Sequence, residues 1–147
     1  MRKRFDYRKI PDYTLPRRQW VKRPMLQVTL FNGERRQTVI SLVDSGADDC
    51  LFHSSIGDRL GIDVESGQLK SYEGIAEGHP IDAYLHIIEL QVQDFSERIS
   101  IQAGFTHAEG VHGLLGQAGF FQNYRIIFER YRGCLWVENY QPTVAGR

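Results

Sequence analysis

The chain has 147 residues with 41% hydrophobic and 12% aromatic content, which suits one core-forming domain and excludes compositional disorder. Its eighteen basic and eighteen acidic residues cancel to a net charge of zero, and no apolar stretch is long enough to cross a bilayer. The basic N-terminus lacks the apolar stretch of a secretory signal, and Cys50 and Cys134 are too few for a disulfide framework. We therefore expect two free thiols and a cytoplasmic location.

The charge is unevenly spread along the chain. Residues 1–23 carry nine Lys or Arg against two Asp, so this segment is about +7 and the remainder about −7. Pro11 and Pro16 break any long helix through the segment, and we predict a flexible N-terminal arm. The simpler interpretation is a solvated extension, or one that lies on the chain's own acidic body or on a partner subunit. The alternative is contact with nucleic acid or another anionic surface.

Beyond the arm, short apolar runs alternate with turn signals, which predicts an all-β domain over 24–140 followed by a C-terminal tail over 141–147. The alternating run at 25–30 meets the dipeptide Asn32-Gly33, which favours a two-residue turn. We therefore predict a hairpin into a second strand at 36–43.

The second strand ends in a carboxylate, a hydroxyl, a glycine and a small residue, namely Asp44, Ser45, Gly46 and Ala47. This order suits an acid presented on a tight turn with a substrate passing over it. The chain holds one copy of the motif, and a lone carboxylate cannot act as general acid and general base at once. We therefore expect the second carboxylate to come from a second identical chain.

The rest of the chain predicts further short elements and no repeat of 20–50 residues. In chain order these are a strand at 50–53, a helix at 56–60 capped by Ser54 or Ser55 and ended by Gly61, strands at 67–72 and 81–92 around a mobile tip at 73–80, a strand at 95–103, an apolar run at 112–116, one or two helical turns at 117–124, and closing strands at 125–129 and 134–137.

These pieces resemble the retropepsin-like aspartic proteases in both kind and order. The resemblance covers roughly 25–138 and rests on the strand into the Asp44 motif, the glycine-bearing hairpin, and Leu114-Leu115-Gly116 followed by a short helical segment. It implies a closed retropepsin-like (acid protease) β-barrel with a flap hairpin and one or two short helices. It also implies a homodimeric aspartic endopeptidase that cleaves extended peptide or protein substrates.

The resemblance also implies roles for individual residues. Asp44 corresponds to the catalytic carboxylate, the Ser45 hydroxyl to the tie between the two active-site loops, and Gly46 to the point of closest approach of the substrate backbone. Gly116 corresponds to a residue that packs against the Asp44 loop. The residues expected to contact substrate are Ala47, Asp48 and Asp49 beside the motif and Gly74, Ile75 and Ala76 in the flap.

Four positions depart from the family pattern or leave their role open. Many members have arginine where this chain has Gln117, and that arginine pairs with the acid corresponding to Asp48. The flap has Ile75-Ala76 in place of adjacent glycines. Tyr72, at the base of the predicted flap, corresponds either to a flap tyrosine like that of pepsin-like enzymes or to a packing residue.

Two carboxylates at hydrogen-bonding distance cannot both ionise cheaply, so they share one proton, and together they can activate water and protonate the carbonyl oxygen of an amide. This predicts a reaction with no cofactor and a pH optimum on the acid side of neutrality.

Asp48, Asp49, Cys50 and His53 could be taken for metal ligands, but their spacing matches no zinc signature, so we predict no metal. The competing hypothesis is a catalytically silent dimeric module of the same fold that binds peptides or assembles.

Overall fold

The computed structural model describes residues 1–16, 18–73 and 79–140. Within these ranges the secondary structure is almost entirely β. The strands are β1 (Arg2–Asp6), β2 (Arg8–Leu15), β3 (Arg18–Arg23), β4 (Met25–Asn32), β5 (Arg35–Val43), β6 (Cys50–His53), β7 (Gln68–Tyr72), β8 (Ile81–Val92), β9 (Ile99–Thr106), β10 (Gly113–Leu115), β11 (Tyr124–Glu129) and β12 (Cys134–Asn139). One α-helix, α1 (Ser54–Arg59), and two single 3₁₀ turns at Val64–Ser66 and Arg130–Arg132 complete the described elements.

Six strands close into a barrel. The order is β4-β5-β10-β6-β9-β8, and a further pairing of β4 with β8 closes the ring. The twelve-residue strand β8 makes this closure possible, because its first half pairs with β7 and its last residues pair with β4. The pairing of β4 with β8 leaves no free edge among the six strands, and the predicted closed β-barrel is therefore confirmed. Strand β7 pairs only with β8 in this sheet and lies outside the ring.

The barrel interior is filled by side chains from alternating positions. In β4 the pattern of half-buried and buried residues alternates along most of the strand, as expected when one face of a strand meets the core. The largest fully buried side chains include Phe52, Phe105, Phe120, Leu26, Leu30, Ile56, Leu60, Leu90, Leu115 and Leu135. This core lies directly beneath the strand that ends at Asp44.

The N-terminal segment differs from the predicted flexible arm. Arg2–Asp6 forms an edge strand that pairs antiparallel with β12, from Arg2 opposite Glu138 to Asp6 opposite Cys134. Its residues alternate between exposed and half-buried. Because three of its five residues are basic, the sequence does not show the alternation of apolar and polar residues that predicts a strand. Strands β2 and β3 pair with each other as a separate two-stranded ribbon, so the segment carries regular structure on both sides of residue 7.

Two of the local predictions need small corrections. The hairpin of β4 and β5 is confirmed, but its two-residue loop is Gly33-Glu34, because Asn32 pairs with Arg35 and Gly33 takes the positive φ of 61°. Helix α1 begins at Ser54 rather than after a serine cap. Its N-cap is His53, whose Nδ1 accepts the amide proton of Ser55 at 3.2 Å.

Two further segments also depart from the sequence expectation. The strand predicted at 95–103 lies at Ile99–Thr106, because a turn with Asp94 at φ 67° separates β8 from β9. The helical turns predicted at 117–124 are a series of turns rather than a helix. Their backbone hydrogen bonds have mixed spacing, since the amide of Phe121 reaches Gly116 O while that of Asn123 reaches Phe120 O.

Candidate active site

Strand β5 delivers Asp44 to the edge of the barrel. The neighbouring strand β10 runs parallel to β5, with Leu114 opposite Leu42 and Leu115 opposite Val43. The amide of Asp44 continues this pairing by donating to Leu115 O at 3.0 Å. The catalytic candidate therefore begins from a fixed backbone position at the end of a buried strand.

The turn after Asp44 is held by its own carboxylate. The amide of Gly46 donates to Asp44 Oδ1 at 2.9 Å, and the amide of Ala47 donates to Asp44 O at 3.2 Å. Ser45 and Gly46 are exposed, and Asp44 is half-buried. A Cβ atom added at Gly46 would lie 3.3 Å from Asp44 Oδ1, which is a tight contact. The absence of a side chain at Gly46 therefore leaves room for the Asp44 carboxylate oxygen beside the Gly46 amide.

A second segment, which follows β10, packs against this loop. The amide of Gln117 donates to Ala47 O at 2.8 Å, and the amide of Ala118 donates to Asp48 O at 2.8 Å. A Cβ atom added at Gly116 would lie 2.3 Å from Asp49 O and 2.7 Å from Ala47 O. The close packing expected of Gly116 is therefore present, and the absence of a side chain there is what allows it.

Gln117 stands where the family pattern has arginine. Its side-chain Nε2 donates to Ser45 O at 2.7 Å. The glutamine thus ties the motif through its main chain instead of pairing with Asp48, whose side chain is exposed. A neutral amide supports the loop at the position where the family pattern uses a charged side chain.

Asp49 has partners that the sequence analysis did not assign. Its Oδ2 accepts hydrogen bonds from Lys70 Nζ at 2.6 Å and from Tyr72 Oη at 2.6 Å. Burial raises the pKa of the Asp49 carboxyl, but the hydrogen bonds from Lys70 and Tyr72 lower it more, so the net shift is downwards. Burial and the hydrogen bond to Asp49 both raise the pKa of Tyr72. Lys70 and Tyr72 are two residues apart, so their side chains lie on one face of β7. This spacing was the sequence feature from which a shared contact could have been predicted.

Cys50 lies beneath the loop. Its Sγ accepts the amide proton of Gly116 at 3.4 Å and donates to Ala118 O at 3.5 Å, and its side chain is fully buried. Burial raises the pKa of the Cys50 thiol to about 11. The thiol is thus protonated at neutral pH and contributes to packing rather than acting as a nucleophile.

Of the remaining residues predicted to contact substrate, one is described by the structure and three are not. Ala47 is half-buried beside the motif, whereas Gly74, Ile75 and Ala76 lie outside the described residues. In the part of the chain that the structure describes, no group of three or more His, Cys, Asp or Glu side chains is arranged to hold a metal ion. No helix in the same ranges has the length and apolar character needed to span a membrane.

The chain matches known proteins when structures are compared, but not when sequences are compared. No protein-family model matches the chain, and no curated protein sequence matches it. Among solved structures, a retropepsin-like aspartic protease from Rickettsia conorii superposes with a TM-score of 0.60 at 13% identity. That alignment covers 93% of this chain and 91% of the Rickettsia chain.

Two further structures match with lower scores. The EIAV protease in complex with an inhibitor has a TM-score of 0.47 at 19% identity, covering 72% of this chain and 88% of that one. The retroviral protease-like domain of Ddi1 from Leishmania major also has a TM-score of 0.47, at 15% identity, covering 80% of this chain and 95% of that one. The chain has the fold of the retropepsin-like aspartic proteases.

Proposed function

We propose that the protein is an aspartic endopeptidase in which two Asp44 carboxylates, one from each chain of a homodimer, activate the water that cleaves a peptide bond. The observation that carries this proposal is the position of Asp44. Its carboxylate ends a buried strand, sits in an exposed turn, and is oriented by the amide of Gly46. The fold shared with the Rickettsia conorii protease supports the same conclusion.

The need for a second chain follows from the groups around Asp44. Asp49 is engaged by Lys70 and Tyr72, so its carboxylate is not available to share a proton. The main-chain oxygen of Asp48 accepts the amide proton of Ala118, and the Asp48 side chain is exposed to solvent. A twofold axis beside the exposed turn would bring a second Asp44 carboxylate opposite the first. The pair would then hold one proton between them, one member acting as base and the other as acid.

Nucleophilic catalysis by Ser45 is the chemical alternative at this turn, and the histidine contacts argue against it. Such catalysis needs a base within hydrogen-bonding reach of the hydroxyl. Three of the five histidines bond elsewhere: His53 to Ser55 at 2.8 Å, His86 to Val64 O at 2.7 Å, and His107 to Glu65 at 3.2 Å. A shared-proton carboxylate pair needs none of them.

The substrate is expected to be an extended polypeptide. Strand β7 ends the described sheet order, so one of its edges is not paired within that sheet. It is also linked through Asp49 to the loop at 44–49, here called the active-site loop, which carries Asp44 and connects β5 with β6. Exposed strand edges bind extended peptides by adding a strand through main-chain hydrogen bonds. Specificity would then come from the side-chain pockets on either side of the Asp44 pair.

The direct test compares Asp44→Asn with Asp58→Asn, a matched change on the exposed end of α1. The amide oxygen of asparagine can still accept from Gly46, so we expect Asp44→Asn to fold and dimerise but to lose cleavage of a peptide library. Asp58→Asn should retain cleavage. Wild-type activity in Asp44→Asn refutes the proposal. A dimer that binds peptides but never cleaves them identifies the silent-module alternative.

Subunit mixing tests the shared site. When wild-type and Asp44→Asn chains exchange freely in equal amounts, about one quarter of the dimers carry two Asp44 carboxylates, so cleavage falls to about half of what the wild-type chains alone give. A one-chain active site predicts no change on mixing. Asp58→Asn is the control, and its addition should not reduce cleavage by the wild-type chains.

A further inference from the structure

Two side chains of β7 reach across to the active-site loop. Lys70 Nζ and Tyr72 Oη each lie 2.6 Å from Asp49 Oδ2. In the sheet β7 pairs with β8, and β8 and β9 separate it from β6, the strand that follows Asp49. The link between β7 and the loop is thus made by side chains and not by the sheet.

The rest of β7 is held to β8 by antiparallel pairing and by the hydrogen bond from Ser71 to Asp82, but it buries little apolar surface. Four of its five residues are exposed, and Leu69, its one aliphatic hydrophobic side chain, is 54% exposed. A strand with so little buried apolar surface belongs to the less stable part of a fold. Its placement relative to the loop therefore depends on the polar contacts with Asp49.

Asp49 is well suited to act as the fixed end of this link. Its backbone forms a bridge with Ala118, and its side chain is only 14% exposed. A carboxylate in such a place needs charged or polar donors to remain ionised, and Lys70 and Tyr72 supply them. Lys70 Nζ also lies 5.1 Å from the centre of the Tyr72 ring, so the three groups form one compact cluster.

We propose that Asp49 is a positioning residue rather than a substrate ligand, and that with Lys70 and Tyr72 it forms a latch that fixes β7 against the active-site loop. The latch sets how closely β7 lies to the Asp44 turn, and thus the width of the cleft in which an extended peptide binds. The kinetic consequence rests on the proposed function. The structural consequence, the placement of β7, does not.

The structural test is amide hydrogen exchange of β7 in the full-length protein. Tyr72→Phe removes one donor while keeping the ring, and Lys70→Met removes the other while keeping most of the side-chain length. The matched control is Ser71→Ala, because Ser71 donates to Asp82 of β8 at 2.5 Å and does not contact the loop. We expect β7 amides to exchange roughly ten-fold faster in each latch variant and to change by clearly less in the control, which loses a contact with β8 but keeps the link to the loop.

Rescue separates the latch from a general loss of packing. Lys70→Arg keeps a cation that can reach Asp49, so it should restore most of the slow exchange that Lys70→Met loses. Equal exchange in Lys70→Met, Ser71→Ala and wild type overturns the latch. Faster exchange spread over the whole barrel, including β4 and β5, also overturns it.

The kinetic test uses the same variants. Because the latch does not touch the reacting bond, we expect KM for an extended peptide to rise roughly ten-fold while kcat stays within about two-fold. An unchanged KM in variants whose β7 exchanges faster overturns the role in substrate binding. If no form of the protein cleaves peptides, the proposed function fails, and hydrogen exchange still decides the latch.

Discussion

Replacing Gly116 by alanine tests how the active-site loop is supported. Gly116 has no positive φ, so alanine is compatible with its backbone conformation. The obstacle to alanine is the lack of room for its Cβ atom beside the loop backbone. The added Cβ would lie 2.3 Å from Asp49 O and 2.7 Å from Ala47 O, whereas ordinary contact begins at 3.4 Å. The loop would therefore have to retreat by about 1 Å from the end of β10.

That retreat has a cost that can be worked out from the contacts. Overpacking a close-packed site costs about 1–3 kcal/mol of unfolding free energy. Moving Ala47 O by about 1 Å also lengthens its 2.8 Å hydrogen bond from the amide of Gln117, at a further cost of about 1 kcal/mol. We expect Gly116→Ala to lower the free energy of unfolding by about 2–4 kcal/mol. Peptide cleavage should fall as well, because the Asp44 turn rests on the same loop.

The assay is urea denaturation followed by peptide cleavage, with Gly110→Ala as control. Gly110 has φ 86°, and a Cβ atom added there would meet nothing within 4 Å, so alanine should cost about 1 kcal/mol through backbone strain alone. The reasoning is refuted if Gly116→Ala is no less stable than Gly110→Ala. It is also refuted if the Gly116 variant is destabilised but cleaves peptides at the wild-type rate under conditions where it is fully folded.

Two more predictions concern titration and thiol chemistry. The pKa of Asp49 is lowered in the folded protein beneath its ordinary value of 3.8, because the hydrogen bonds from Lys70 and Tyr72 outweigh the effect of burial. Its contribution to stability is therefore present above that value and is lost as pH falls through the folded pKa, so Lys70→Met should flatten the acid side of a plot of unfolding free energy against pH. Burial raises the pKa of Cys50 to about 11, so iodoacetamide at mildly alkaline pH should label this thiol only after the protein unfolds. Mass spectrometry locates the label, and rapid labelling of Cys50 in the folded protein contradicts its buried position.

The elements that the sequence predicts well are those set by neighbouring residues. The hairpin around Gly33 follows from alternation and one positive-φ glycine, and the position of Asp44 follows from an apolar strand that stops at a polar turn. The closed barrel came from the resemblance of these pieces, in order, to a known family. The structure confirms the barrel, and the Rickettsia conorii protease shares the fold.

What the sequence does not predict depends on partners that lie far apart along the chain. Arg2–Asp6 becomes a strand because β12 offers it a free edge, and no local pattern in a basic segment reveals that edge. The pairing of Lys70 with Asp49 likewise joins positions 21 residues apart. The turns at 117–123 look helical in composition, but Gly119 takes a φ of 95°, far from the helical range, so a regular helix does not form.

The short strand β10 contacts both ends of the loop that carries Asp44. It lies between β5 and β6, the two strands that the active-site loop connects, and pairs with both. Leu115 receives the amide of Asp44 at the start of the loop, and Gly116 donates to Cys50 at its end. The two ends of the loop are thus hydrogen-bonded to β10 and to the residue that follows it, which fixes the backbone on either side of the loop. Under the proposed function, changes at Gly116 should alter peptide cleavage by moving the loop. Changes in the exposed Ser45 or Asp48 should instead alter contacts with the peptide or the second chain while the loop keeps its shape.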